Sequence, residues 1–238
     1  MYNQCVMKKV IIWEVVGAFA IIIVGTLLHS AYQFNNSWVF GILSPVNESV
    51  WEHLKIGIWP VLIFALIEYP FIRSITKNFL ISKVAQAYAT SIATLIIFYS
   101  YTFVLGRNLL PLDILTFILA VIIGQCVSCL ILNANELDEL FDHLATSALY
   151  IMIGVIIYIT YFPPHYPMFM DSMTGKYGIP AKRGAIENFL FLSKNALLVI
   201  LIILAAFFIM NISTPFRVWS MNRKMDKIIS LLEKIAKK

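Results

Sequence analysis

The chain alternates long apolar stretches with short polar segments. Six stretches approach the roughly 20 residues that an α-helix needs to cross the hydrocarbon core of a bilayer. They cover approximately residues 10–28, 56–72, 79–105, 112–132, 144–162 and 189–212. The pattern predicts an all-α fold, a polytopic membrane helix bundle of about six transmembrane helices.

The composition supports this prediction. Apolar residues make up 60% of the 238 residues and charged residues 13%, whereas soluble proteins have about 45–50% and about 25%. The net charge is +5, and the basic residues lie mainly at the ends of the apolar stretches. Charges in such places orient spans and attract anionic lipid headgroups. The predicted partner is therefore the lipid bilayer and not nucleic acid.

The distribution of Lys and Arg predicts the orientation of the bundle. With the N-terminus in the cytoplasm, the inner segments hold about twice as many of these residues as the outer segments, with Lys83 counted as inner and Lys55 as outer. Positive charge is enriched on the cytoplasmic side, and an even number of spans returns the C-terminus to that side. We therefore expect a multi-pass protein of the cell membrane with both termini in the cytoplasm.

Residues 1–214 form the predicted bundle, and residues 215–238 form a tail in the cytoplasm. Four apolar residues of the tail follow one another at spacings of 3, 4 and 3 positions: Met225, Ile228, Leu232 and Ile235. This spacing is typical of a coiled-coil seam, which would join the chains in a homo-oligomer. It is equally typical of a basic amphipathic helix on the inner leaflet. Both alternatives predict a short amphipathic C-terminal helix.

Three connections are more than simple turns. The first outer segment contains a semi-apolar piece, Trp38–Leu43, which is too short to span and is expected to dip into the interface. Residues 133–143 read NANELDELFDH and predict a short acidic helix at the interface. The last outer segment, 163–188, contains Pro, Gly and charged residues, and loops of that length are often functional.

The densest polar run reads SPVNESVWEHLK, residues 44–55, at the outer start of the second span. Ser44 or Asn47 is suited to cap a helix there. In such a helix Glu48 and Glu52, four positions apart, share one face. Early carboxylates also complement the helix dipole, but two acids, a base and an imidazole within two turns indicate a binding or catalytic role.

This motif, followed by an apolar span, resembles a family of predicted bacterial integral membrane proteins whose activity is uncharacterised. The segment around His29 and the downstream sequence PPHYPMFMDSMTGKYGI are similar to that family as well. The resemblance covers most of the chain and implies a bacterial membrane protein. It supplies no activity, substrate or cofactor.

The predicted topology brings several polar side chains to the outer face. His, Asp and Glu are suitable ligands for zinc and similar ions, and carboxylates and imidazoles are the usual acids and bases of catalysis. The predicted catalytic residues are Glu48, Glu52 and His53. The predicted ligand-binding residues are Asn47, Lys55, Arg107 and Asp171. The predicted ligands of a divalent metal such as zinc are His29, Glu52, His53 and His165. The alternative is a polar network that only ties the outer loops together.

Two acids, Glu14 and Glu68, are predicted to lie inside the membrane near the inner ends of their spans. Intramembrane acids are functional candidates by default. The alternative is that they pair with Arg73 or extend to the interface.

Three functions are compatible with these features. The first is a membrane-embedded, metal-dependent hydrolase with its site on the outer face. The second is a small ion or solute transporter or channel-like protein, which the combination of outer and inner acids suggests. The third is a membrane scaffold or accessory subunit held by its tail.

Overall fold

A computed structural model describes residues 2–179 of the chain. The α-helices of this part are α1 (Tyr2–Phe34), α2 (Trp38–Leu43), α3 (Val50–His53), α4 (Lys55–Ile72), α5 (Phe79–Leu105), α6 (Leu110–Leu132) and α7 (Glu139–Tyr161). A single 3-10 turn, Pro167–Phe169, follows them. The all-α prediction is confirmed for the described part. The predicted span 189–212 and the tail 215–238 lie outside it.

Within residues 2–179, five helical segments are long and apolar enough to cross a membrane: α1 from Met7, α3 with α4, α5, α6 and α7. Their ends follow local sequence signals. Helix α5 stops at Gly106, which adopts a left-handed backbone conformation with φ of 67° that glycine tolerates without steric cost. Pro111 lies in the first turn of α6, where its missing N–H leaves no hydrogen bond unmade.

Helix α1 packs against α4 and α6, and α5 packs against α4, α6 and α7. The apolar core between them includes Ile21, Val61 and Val121. Gly25 permits a close approach of α1 and α4, because a Cβ atom there would lie 2.6 Å from the carbonyl oxygen of Ile56. The backbones of the two helices therefore come into close contact near the end of α1 that carries His29.

Chain connectivity divides the connecting segments between two faces of the bundle. The long-loop face carries residues 35–49, 106–109 and 162–179. The short-loop face carries the start of α1 and residues 73–78 and 133–138. In the last of these segments the predicted acidic helix is not formed, and Glu139 begins α7 instead. Asn78 explains the difference, because its side chain binds the backbone carbonyl groups of Ala134 and Asn135 and the N–H of Leu137.

Candidate functional site

The helix at the second span begins later than the sequence predicts, at Val50 instead of directly after Ser44 or Asn47. Ser49 is the N-cap of α3, and its hydroxyl accepts a hydrogen bond from the backbone N–H of Glu52 at 3.3 Å. The hydroxyl of Ser44 is committed to α1, where it donates to the carbonyl of Leu28. Glu48 therefore precedes the helix in irregular backbone and does not share a helical face with Glu52.

Glu52 and Lys55 form a buried ion pair beneath the long-loop face. They expose 2% and 1% of their surface, and Lys55 Nζ lies 2.5 Å from Glu52 Oε2. The same carboxylate oxygen accepts the backbone N–H of Val46 at 2.9 Å, and the ammonium donates to the carbonyl of Gly41 at 2.8 Å. The pair thus holds the segment between α2 and α3 against α4.

A different set of side chains converges at the surface of the long-loop face. His29 at the end of α1, Glu48 in the connecting segment and His53 at the end of α3 are all partly buried. His53 Nε2 lies 3.1 Å from His29 Nε2 and 3.2 Å from Glu48 Oε2. The three candidate ligand atoms lie within 4.8 Å of one another. We call these three residues the His–Glu cluster.

The geometry of the His–Glu cluster fits a metal ion. Ligand atoms bound about 2.0–2.1 Å from a tetrahedral zinc ion lie about 3.3 Å apart, close to the two separations measured at His53. His53 Nδ1 lies 2.8 Å from the carbonyl oxygen of Ser49. A carbonyl only accepts, so Nδ1 carries a hydrogen. Nε2 donates to Glu48 when the ring is protonated, and it would present its lone pair to a metal once that proton is lost. A second ring nitrogen that is anchored in this way is typical of metal-binding histidines.

The loop after α7 holds Glu48 in place through its backbone. The Asp171 carboxylate accepts the N–H of Glu48 at 3.3 Å, and the Ser172 hydroxyl donates to the carbonyl of Glu48 at 3.0 Å. Beside them, the Asn47 side chain donates to the carbonyl of Gly178 at 2.9 Å. Asn47 and Asp171 therefore connect the loop to the segment that carries Glu48.

Both carboxylates at this surface are held in their ionised form. The hydrogen bond from His53 lowers the pKa of Glu48, although burial acts in the opposite direction. Burial would raise the pKa of Asp171, but hydrogen bonds from the Thr174 hydroxyl and from the N–H of Met173 and Glu48 outweigh it, and the pKa is lowered. The surface therefore presents two ionised carboxylates at neutral pH, the form that can bind a cation.

Two predicted site residues have other surroundings. The exposed ring of His165 packs edge-on against Tyr177, with ring centroids 4.7 Å apart. Arg107 is exposed in the turn between α5 and α6. The structure therefore brings His29, Glu48 and His53 together, with Asn47 and Asp171 next to them, and does not bring His165 or Arg107 into the cluster.

The predicted intramembrane acids meet a partner that the sequence did not indicate. Glu14 and Glu68 both contact Lys83 of α5, at 2.8 Å and 2.6 Å, whereas the guanidinium of Arg73 lies over the ring of Tyr69. The orientation prediction counts Lys83 among the inner charges, but the structure buries it between helices. Its position within the apolar stretch 79–105 could have indicated a buried lysine.

A family model described as a family of unknown function (DUF6512) matches residues 2–179. The matched segment includes all three residues of the His–Glu cluster as well as Glu14, Glu68 and Lys83. No curated protein and no solved structure matches the chain.

Proposed function

Because the chain belongs to this family of unknown function, we propose a function from the geometry: the protein is a membrane-embedded, zinc-dependent hydrolase with its site on the long-loop face. The observation that carries the proposal is the convergence of His29, Glu48 and His53 within 4.8 Å. Two histidines and one glutamate with an open fourth position form a ligand set known from catalytic zinc sites.

The residues have separate roles in the proposed site. His29 and His53 would donate imidazole nitrogen atoms, and Glu48 a carboxylate oxygen. The loop that includes Asp171 and Ser172 holds Glu48 at the cluster. A zinc ion at this position would polarise a carbonyl or phosphoryl group and activate a water molecule, which adds across the bond that is broken. A substrate would reach the site from the aqueous phase or the adjacent leaflet.

Metal analysis of the purified, detergent-solubilised protein tests the site. We expect about one zinc ion per chain, as for a site that a single set of ligands forms. His29→Ala, Glu48→Gln and His53→Ala should each remove it. His165→Ala is the matched control and should retain zinc, because His165 packs against Tyr177. Folded wild-type protein without zinc, after incubation with the metal, would reject the proposal.

Activity is tested separately with ester and phosphodiester substrates on protein in nanodiscs. Hydrolysis should stop when a chelator strips the metal, and it should return when zinc is restored. If the protein binds zinc but hydrolyses none of these substrates, the result would support the metal site and contradict the hydrolase function.

The second candidate function is transport of a small ion or solute. The buried cluster of Glu14, Glu68 and Lys83 favours it, because charged side chains inside a bundle of spans commonly mark ion pathways. Glu14→Gln or Glu68→Gln should then change the flux of a cation or proton into liposomes. Liposomes without flux under an imposed gradient would argue against this candidate.

A further inference from the structure

A second polar cluster lies in the interior of the bundle, away from the His–Glu cluster. Glu14 precedes His29 by 15 residues in α1, which is roughly 22 Å of helix. Glu14, Glu68 and Lys83 expose 4%, 0% and 3% of their surface. They belong to three helices, α1, α4 and α5, and we call them the carboxylate–lysine cluster.

The ammonium of Lys83 is the centre of this cluster. Its Nζ lies 2.8 Å from Glu14 Oε1, 2.6 Å from Glu68 Oε2 and 3.1 Å from the hydroxyl of Ser128. The contacts with Glu14 and Ser128 are hydrogen bonds donated by the ammonium, and the contact with Glu68 is an ion pair. The Ser128 hydroxyl in turn donates to Glu14 Oε1 at 2.7 Å. The ammonium is thus shared between both carboxylates and the hydroxyl.

Two carboxylate oxygens, Glu14 Oε2 and Glu68 Oε1, have no contact with the lysine. Both are buried and make no hydrogen bond within the described part of the chain, and Glu68 Oε2 has only its ion-pair contact. Phe79 covers the ammonium with its ring, and Cys129 of α6 is a further titratable group that interacts with Glu14 and Lys83. A buried polar oxygen without a partner is costly, so a further positive group is expected there.

The charge balance identifies that group. Among residues 2–179, two ionised carboxylates and one ammonium leave this cluster a net charge of −1 between apolar helices, where an uncompensated charge is strongly disfavoured. One additional proton makes the cluster neutral, and it also turns an unpartnered oxygen into a donor. A proton, unlike a metal cation, needs no additional cavity volume and no additional ligands.

We propose that the carboxylate–lysine cluster is a proton-binding site that holds one proton between Glu14 and Glu68 at neutral pH. Uptake forms one O–H bond on a carboxylate oxygen and leaves the other carboxylate ionised beside Lys83. Release breaks that bond and restores the net negative charge. The inference is independent of zinc binding and hydrolysis, since it uses none of their residues.

Infrared spectroscopy of the full chain in nanodiscs tests the number of protons. At about pH 7 exposed acids are ionised, so the C=O band of a protonated carboxyl should report about one group per chain from this cluster. Either Glu14→Gln or Glu68→Gln should abolish the band, because each leaves one acid with one lysine. Lys83→Met should increase it about twofold, because both acids then need a proton.

The control for these spectra is Glu136→Gln, which removes an exposed acid paired with Lys77 and should leave the band unchanged. A wild-type protein without the band would overturn the proposal. A band that persists in both single Gln variants would also overturn it, because the proton would then belong to another group.

Carbodiimide labelling of the wild-type protein avoids the need for a variant that folds. Carbodiimides react with protonated carboxyl groups in apolar surroundings, and mass spectrometry locates the adduct. We expect labelling of Glu14 or Glu68 that decreases as the pH is raised. Glu52, equally buried but balanced by one lysine, is the internal control and should stay unlabelled. Equal labelling of Glu52, or none at Glu14 and Glu68, would contradict the proposal.

Discussion

Glu52 and Lys55 form a buried ion pair at the junction of α3 and α4. Removal of one partner leaves the other charge buried and unpaired, which typically costs about 3–5 kcal/mol. We therefore expect Glu52→Gln to lower the thermal stability of the solubilised protein markedly. The double variant Glu52→Gln with Lys55→Met should recover part of the loss. Normal stability of Glu52→Gln together with lost hydrolysis would instead support the catalytic role that the sequence suggests.

The residues of the His–Glu cluster determine how metal binding should depend on pH. Imidazoles must lose a proton to bind a metal, whereas Glu48, whose pKa is lowered by His53, is already ionised. Zinc affinity should fall by up to about tenfold per pH unit for each histidine as the pH is lowered from about 8 to about 5, the range in which imidazoles take up a proton. Competition titrations with a zinc-binding dye measure this slope. A flat affinity across that range would exclude histidine ligands.

At the scale of elements, the loop after α7 is coupled to the His–Glu cluster through Asp171. Its carboxylate accepts hydrogen bonds from the N–H of Glu48 and of Met173 and from the hydroxyl of Thr174. The segment that carries Glu48 and the loop are thus held by one ionised group. The loop also pairs Met170 with Tyr177 in a short antiparallel bridge, which keeps Asp171 near the turn.

Protonation of Asp171 should release this loop. Because the folded-state pKa is lowered, the stabilisation is complete above the usual value of 3.8 and is lost as the pH falls through the lower folded value. Asp171→Asn removes the charge at neutral pH and should decrease hydrogen-exchange protection of the loop by about tenfold to a hundredfold, since a hydrogen bond to a charged group contributes about 1.5–3 kcal/mol. Lys176→Gln, at an exposed position of the same loop, is the control. Equal protection in both variants would contradict this role.

At the scale of the whole molecule, the two polar clusters occupy different depths of the same pair of helices. His29 and Glu14 lie 15 residues apart in α1, and His53 and Glu68 lie 15 residues apart across α3 and α4. Since α1 and α4 run in opposite directions, the histidines meet near the long-loop face and the acids meet towards the short-loop face. The helix pair thus separates a surface site from a buried one.

The orientation predicted from Lys and Arg assigns the long-loop face to the outside. A cysteine-free background permits a direct test with two matched exposed positions, Lys176→Cys and Lys77→Cys. A membrane-impermeant maleimide added to intact cells should label the first and not the second, because the reagent does not cross the bilayer. Labelling of the Lys77→Cys variant alone would show that the long-loop face lies in the cytoplasm, opposite to the prediction.

The spans could be predicted from the sequence alone, because their length and apolar character are local properties that the bilayer thickness limits. Predicted span 79–105 coincides with α5, and the piece Trp38–Leu43 is a helix of its own. The prediction that Glu48 and Glu52 share a helical face was wrong, because it required one continuous helix through both residues. Ser49 caps α3 instead and leaves Glu48 outside it.

The sequence by itself determined the class of fold, the positions of the spans in the described part and the residue types available for chemistry. Only the tertiary structure decided which of them meet: His29 with His53 and Glu48, and Lys83 with both buried acids. The physical reason is that such contacts depend on helix rotation and spacing. Rotation and spacing are set by packing between segments that are distant in the sequence, such as the close contact of Gly25 with the backbone of α4. The hydropathy pattern along the chain does not specify them.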